Sequence, residues 1–454
     1  MPNRMSLRAM VEALRAGRVT PRELVDAHLS AIERCNPELN AFVEIYAEQA
    51  RAFADSVPRG GPLAGVPVTV KDSFDIAGRV TACGSRLRLD QRAGGDATAV
   101  RRLRAAGAMI LGKTACPEFL MNYETESHLT PATRNPVNRE RTAGGSSGGE
   151  AAAIAAFCSA GGMGSDGGGS IRQPAGFCGI AGLKPTPGRV PATGHWPEIA
   201  HPGGLLGVAG PMARSVADVR LLFEVVSGHD PRDPFSVPAV PERAANAAPL
   251  ILVLDEFPMT GGVRAGLLRA AALCEAAGWR VEQAPRGLLG AAHELWRFLF
   301  IDINAPLLRA YIAGREAECH WTGLELIDMV KDESPPPAAR LCSVLLERDR
   351  LRGRVCAWLE ERNAVLLAPV CGRTAWAPRD RSFDLLEAVR PLTFANLLGL
   401  PALAVPADRD EEGLPVGVQF VGPPWSEQLL LDLGERFQQM SGSGRNGLRP
   451  APGF

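Results

Sequence analysis

No run in this sequence approaches the roughly 18 consecutive apolar residues that a membrane-spanning helix requires, so no span is expected. The N-terminal stretch has the spacing of an amphipathic helix and lacks the continuous apolar core of a secretory signal. Ten cysteines are scattered along the chain with no C-x-x-C among them, and the seven histidines are dispersed. Cys319 and His320 are neighbours, but no second pair stands at zinc-ligand spacing. Neither a metal site nor a disulfide framework is expected, and a reducing, cytoplasmic setting follows, with cysteines serving as small apolar side chains. A charge excess is missing too. The 49 basic residues face 50 acidic ones, so no global field draws nucleic acid or an anionic membrane. Lysine itself is scarce, because the basic residues are overwhelmingly arginine.

What is present is an alternation of helical and strand patterns. Leu7, Met10, Val11 and Leu14 follow helical spacing. Thr20-Pro21-Arg22-Glu23 then reads as an N-cap, a first-turn proline and a capping-box glutamate, opening a second helix that Asn36-Pro37 should break. Strands are expected over residues 41–46, over the β-branched run that ends in Lys71, and over residues 108–111, with a helix over 97–106 between the last two. Further on, the patterns predict a helix over 216–226, a proline-rich surface connector over 231–249, a strand over 251–255, a helix over 267–277 and a strand over 279–283. Residues 288–361 turn mainly helical, with a break at Ser334-Pro335-Pro336-Pro337. Strands return over 364–369, 400–406 and 416–421, the last two as a closing pair. Residues 441–454 have the composition of a disordered tail. The fold class is α/β: one large domain over residues 1–440, with a twisted mixed sheet covered by helices on both faces.

Gly107-Ala108-Met109-Ile110-Leu111-Gly112-Lys113-Thr114 formally fits the phosphate-loop pattern G-x-x-x-x-G-K-[ST]. Its middle residues favour a buried strand, and Pro117 follows where a helix should start, so nucleotide binding is not expected. Residues 141–189 carry more information. Two glycine-framed serine clusters, 144–149 and 164–170, flank a short helical run expected from Glu150 to about Ser159. Gly167-Gly168-Gly169-Ser170 offers consecutive unobstructed N–H groups leading into a hydroxyl, as an oxyanion site needs. On its own such a run is equally a tight turn with a capping serine. No G-x-S-x-G elbow is present and no histidine lies in the stretch, so a Ser-His-Asp arrangement lacks its base. A lysine can serve if burial keeps it neutral, and Lys71, at the end of a strand, fits best. An ordinary ion pair with Asp72 is the competing reading.

Together, Lys71 in GVPVTVKD, Ser146 in GGSSGGEAAA and Ser170 in GSDGGGSIRQPAGFCG resemble the amidase signature family. The likeness continues through GLKPTPGR at 182–189, GPMARS at 210–215, GLPA at 399–402 and GLPVGVQ at 413–419. It spans about residues 6–438, strongest over 60–230 and 364–438 and weakest over about 230–362, where such enzymes differ most. The resemblance implies a Ser–cis-Ser–Lys triad with Ser170 as nucleophile, Ser146 rather than Ser147 as bridge, and Lys71 as base. It also implies a cis peptide at Gly145–Ser146 and an oxyanion hole from the Gly167, Gly168 and Gly169 N–H groups. Asp166 and Arg172 match positions that brace the loop. Gly167 stands where a bulkier residue is common, and Glu150 where serine is frequent.

Those parallels imply an amidohydrolase cleaving carboxylic amides, with esters as an optional second substrate, and without cofactor or metal. The runner-up is the A-type component of a tRNA-dependent glutamyl or aspartyl amidotransferase. The stretch GRVPATGHWP at 188–197 looks more like general bacterial and fatty-acid-amide-hydrolase-like amidases. A small-molecule amide is the expected partner, and a homodimer is compatible. Trp196, Trp296, Phe298, Phe300 and Tyr311 are candidates for an apolar pocket or, equally, for the core of the helical region (residues 285–362).

Overall fold

The computed structural model describes residues 1–57, 60–200, 206–238, 248–331 and 334–442. Part of the proline-rich connector (239–247) and most of the expected tail (443–454) lie outside the described residues. Helix α1 (Leu7–Arg15) leads into α2 (Pro21–Leu39), which begins with the expected capping box of Thr20 and Glu23. Pro37 does not break α2. It falls in the last turn, and Asn40 ends the helix in a left-handed conformation while the Asn36 side chain accepts the Ala41 and Phe42 N–H groups. Only two helical residues follow Pro37, so the lost bond and the ring clash have no continuing helix to kink, and the expected break is absent.

Eleven strands form one mixed sheet: β1 (Phe42–Ile45), β2 (Pro67–Lys71), β3 (Met109–Thr114), β4 (Gly161–Asp166), β5 (Ala181–Lys184), β6 (Val208–Ala213), β7 (Leu250–Val253), β8 (Val281–Gln283), β9 (Ala364–Pro369), β10 (Ala402–Arg409) and β11 (Pro415–Val421). Their spatial order is β1-β3-β2-β4-β6-β5-β10-β11-β9-β7-β8. The phosphate-loop look-alike is mostly strand β3, as its apolar middle suggested. Strands β10 and β11 form the expected closing antiparallel pair.

Alternate residues of the inner strands feed two apolar layers. Leu250 and Leu252 join one layer and Ile251 and Val253 the other, as expected of a sheet covered on both sides. Helices α3 (Ala47–Ala54), α5 (Gly148–Ala155) and α6 (Arg172–Cys178) pack in the first layer. Helices α4 (Thr98–Ala105), α7 (Val216–Val226) and α8 (Gly261–Ala276) pack in the second. The segment before β9 is helical, as expected, through α9 (Ala292–Arg297), a π-helical turn (Phe298–Asp302), α10 (Asn304–Ile312), α11 (Trp321–Asp328) and α12 (Ala338–Glu361). After β9, α13 (Leu385–Leu397) joins the first layer and α14 (Glu427–Ser441) the second. Several boundaries differ from expectation: α8 starts at Gly261 instead of 267 and β10 runs on to Arg409, and two further differences lie at the serine clusters. Helix α5 starts at Gly148 and stops at Ala155, because Phe157 adopts a positive φ of 60°. Residues 164–166 of the second serine cluster belong to strand β4 instead of a loop.

Strands β2 and β4 are parallel neighbours, with Thr69 opposite Gly162 and Val70 opposite Met163. Their carboxyl ends therefore emerge together, which places Lys71 beside Ser165 and the glycine loop that follows. Open α/β sheets bind ligands at such ends.

Candidate active site

Val68 and Val70 of β2 point into the second apolar layer, so Thr69 and Lys71 point to the opposite face, towards α5. Lys71 is wholly buried, and its Nζ donates to Ser146 Oγ at 2.7 Å and to Ser165 Oγ at 3.1 Å. Burial lowers its pKa to about 8, against opposing pulls from Cys116, Cys83, Asp166 and Glu150. Asp72 does not pair with Lys71. Its carboxylate accepts from Lys113 Nζ at 2.7 Å, both groups being buried.

The peptide Gly145–Ser146 is cis. The loop carrying it is anchored by Gly145 N–H donating to Gln173 Oε1 (2.9 Å) and by Thr125 Oγ1 donating to the Gly144 carbonyl (2.9 Å). Ser147 does a different job from Ser146. Its N–H donates to the Ser170 carbonyl at 3.1 Å and its hydroxyl to the Ser165 carbonyl at 3.3 Å, tying the two serine clusters together.

The second cluster is shaped by Asp166. Although burial alone would raise its pKa, Arg172, Lys184 and Asn396 hold the carboxyl well below the usual range. It accepts from the Gly169 N–H at 2.7 Å, from the Ile171 N–H at 3.1 Å, and from Arg172 Nε and Nη2, both at 3.0 Å. Arg172 Nη1 donates to the Leu392 carbonyl and Gln419 Oε1, and Nη2 also to Asn396 Oδ1, so the guanidinium is fully engaged. Both are bracing residues. Replacing Arg172 with methionine strands the Asp166 carboxylate, and chemical denaturation is expected to show a loss of about 3–5 kcal/mol. A loss below about 1 kcal/mol would contradict this account of the loop.

The Gly169 N–H, expected as an oxyanion donor, is therefore already committed to Asp166. The neighbouring carbonyls are clamped as well. Trp296 Nε1 donates to the Gly167 carbonyl and Tyr123 Oη to the Gly168 carbonyl, both at 2.9 Å. No comparable protein acceptor takes the Gly167 or Gly168 N–H among the described residues. Gly169 has a φ of 114°, and a Cβ there would meet Leu392 Cδ1 at 2.4 Å. At Gly167 a Cβ would lie 2.8 Å from Phe300, whose ring fills that space.

Ser146, Ser165, Gly167 and Ser170 line one cavity of about 280 Å³. Its upper wall is apolar and comes from Phe119, Met121, Trp196, Ile199, Phe300 and Tyr311. Of the five aromatic residues expected to line a pocket, Trp196, Phe300 and Tyr311 do so. Trp296 instead braces the glycine loop and stacks on Phe300 at 5.0 Å, while Phe298 is buried away from the cavity. His195 also lines the cavity, which sequence patterns did not indicate. Its Nδ1–H donates to the Pro197 carbonyl, and burial lowers its pKa to about 3, so it is neutral. Behind Lys71, the buried Glu150 carboxyl accepts from Thr69 Oγ1 at 2.5 Å and Thr114 Oγ1 at 2.8 Å. Burial raises its pKa to about 7.

The chain matches the family described as Amidase over residues 23–431, and it belongs to the amidase signature family. It is 35% identical to the A-type component of the glutamyl-tRNA(Gln) amidotransferase of Synechococcus sp. (strain CC9605), covering 96% of each chain. It is 33% identical to indoleacetamide hydrolase of Bradyrhizobium diazoefficiens, covering 95% of this chain and 85% of that one. The solved structure of a bacterial aryl acylamidase superposes with a TM-score of 0.85 at 28% identity, covering 98% of this chain and 97% of the other. The protein is a hydrolase of the family that acts on amides.

Proposed function

We propose that this protein is a standalone amidohydrolase that cleaves carboxylic amides through an acyl-enzyme on Ser170. The observation that carries the reading is the buried 2.7 Å contact between Lys71 Nζ and Ser146 Oγ, at the base of the cavity that Ser170 also lines. Neutral Lys71 accepts a proton from Ser146 while Ser146 accepts one from Ser170, whose oxygen bonds to the substrate carbonyl carbon. The developing oxyanion is held by the Gly167 and Gly168 N–H groups. Gly169 takes no part as a donor, because Asp166 holds its N–H. The proton returns through Ser146 to the departing nitrogen as the C–N bond breaks. Water then adds to the acyl-Ser170 ester by the same relay, releasing the acid and restoring the serine. Ser146 and Lys71 thus relay each proton between Ser170 or water on one side and the departing nitrogen or the regenerated serine on the other.

The similarity to the A-type component of an amidotransferase supports a second reading, in which the same centre supplies ammonia to a partner. The two separate cleanly. The standalone reading expects ammonia or amine release from simple amides with no ATP, tRNA or second protein, and strict dependence on any of these would favour the other.

The pH dependence follows from Lys71. Only its neutral form accepts the proton, so kcat/KM on amides should rise about tenfold per pH unit below a midpoint near 8 and level off above it. Glu150, which titrates near 7, favours the charged form of Lys71. Glu150→Gln should therefore move the midpoint to lower pH and raise relative activity between about pH 7 and 8, where the parent carboxyl is ionised and Lys71 titrates, measured as full profiles of both proteins. An unchanged midpoint would contradict the coupling.

A further inference from the structure

The wall of the cavity carries information about what enters it. Phe119, Trp196 and Tyr311 form a mutual cluster: Phe119–Trp196 centroids lie 5.8 Å apart at 61°, Phe119–Tyr311 5.9 Å at 88°, and Trp196–Tyr311 5.9 Å at 46°. These are the tilted and edge-to-face arrangements in which aromatic rings attract one another, and they leave ring faces and edges available to a further ring. Trp196 is held in place. Arg88 lies over its ring at 3.7 Å, and its backbone N–H donates to the Ser73 carbonyl at 2.8 Å, two residues from Lys71. On the other side, the Phe300 ring sits against Gly167, in space that a larger residue there would have occupied. The glycine at 167 and the aromatic at 300 thus go together, and they place a flat apolar surface beside the oxyanion donors.

Charge is arranged as selectively. Among the described residues that line the cavity there is no lysine or arginine. Asp166 is spent on Arg172, His195 is neutral, and Glu198 is exposed. A substrate carboxylate brought here would lose its water and gain no cation, which is strongly unfavourable. The free volume of about 280 Å³ lies just below the roughly 300–1,000 Å³ of small-molecule sites, room for a one- or two-ring group.

We propose, resting on the Ser170 reading above, that the substrate is a small uncharged amide bearing an aromatic ring. Trp196 and Tyr311 clasp that ring, and substrates with a free carboxylate, glutamine included, are rejected. The shared chemistry is the ring, which can enter on the acyl side or on the amine side.

The test is a matched panel assayed on the full chain: phenylacetamide against cyclohexylacetamide, N-benzylacetamide against N-(cyclohexylmethyl)acetamide, and glutamine. At least one aromatic member should exceed its saturated partner in kcat/KM by about tenfold, as ring–ring contacts predict. The pair that shows the preference identifies the side on which the ring enters. Glutamine should fall at least about a thousandfold below the best substrate, as expected for an unpaired buried charge. Tyr311 is 47% exposed, so Tyr311→Ala should fold, and it should collapse the aromatic-to-saturated ratio to below about threefold while Tyr311→Phe preserves it. Equal rates within each pair, glutamine turnover within tenfold of the best amide, or a ratio untouched by Tyr311→Ala would each overturn the proposal. Hydrolysis of p-nitrophenyl acetate separates the two layers. If it depends on Ser170 while no ring preference appears, only the substrate class fails. If Ser170→Ala retains it, the underlying serine mechanism fails instead.

Discussion

Ser170→Ala is expected to lower amide turnover by at least about 10⁴-fold, with the protein still folded. The loss is large because the hydroxyl is the atom that bonds to the substrate, and no other serine in the cavity can replace it. Ser146 and Ser165 are both engaged by Lys71, and Ser147 is spent on the Ser165 carbonyl. The fold should tolerate the change. The 170 contact that joins the two loops is made by the backbone carbonyl, which accepts from the Ser147 N–H and survives the substitution. Urea denaturation should therefore place the variant within about 0.5 kcal/mol of the parent. Amide hydrolysis within tenfold of the parent rate would remove Ser170 from the mechanism.

The second large effect is on Lys71, and its size should depend on the leaving group. An amine leaves only when protonated, whereas p-nitrophenolate leaves without help. Lys71→Ala should cost about 10³–10⁴-fold on amides and about 10–100-fold on p-nitrophenyl acetate, the span expected of general acid–base catalysis. Lys71→Ala opens a cavity where a wholly buried side chain stood, so urea denaturation of the variant is read alongside to separate a folding defect from the chemical one. Lys71→Met, which fills more of the space, should show the same amide-to-ester contrast. Equal losses on both substrates would assign Lys71 a merely structural part.

What the sequence made legible was whatever is encoded over short spans. Lys71 stands out because a β-branched run ends in a scarce residue type, and the serine-glycine loops stand out by composition. The resemblance then ranked Ser146 over Ser147, and the geometry gives Ser146 the contact with Lys71. The cavity wall was less legible. Phe119, Trp196 and Tyr311 come from three distant segments, and no local period records that they meet. Trp296 shows the limit clearly. An aromatic residue in a helical stretch is equally a lining residue or a brace, and only its 2.9 Å bond to the Gly167 carbonyl decides for the brace. The resemblance implies all three glycine N–H groups as oxyanion donors, and nothing in a run of consecutive glycines distinguishes them. Asp166, three residues earlier, breaks that equivalence by capturing one of them. Pro37 reflects the same gap between composition and context. A proline inside a helix breaks it or sits harmlessly depending on how much helix follows, and here α2 ends at Leu39, two residues after Pro37.

The central claim is that the acyl group is carried by Ser170. Reaction with a serine-directed fluorophosphonate, followed by peptide mapping by mass spectrometry, tests it most directly. A single label on the peptide bearing Ser170, with no label on the Ser170→Ala variant, is the predicted result. A label on Ser146, Ser147 or Ser165 in the parent protein, or labelling that persists undiminished in Ser170→Ala, would contradict it.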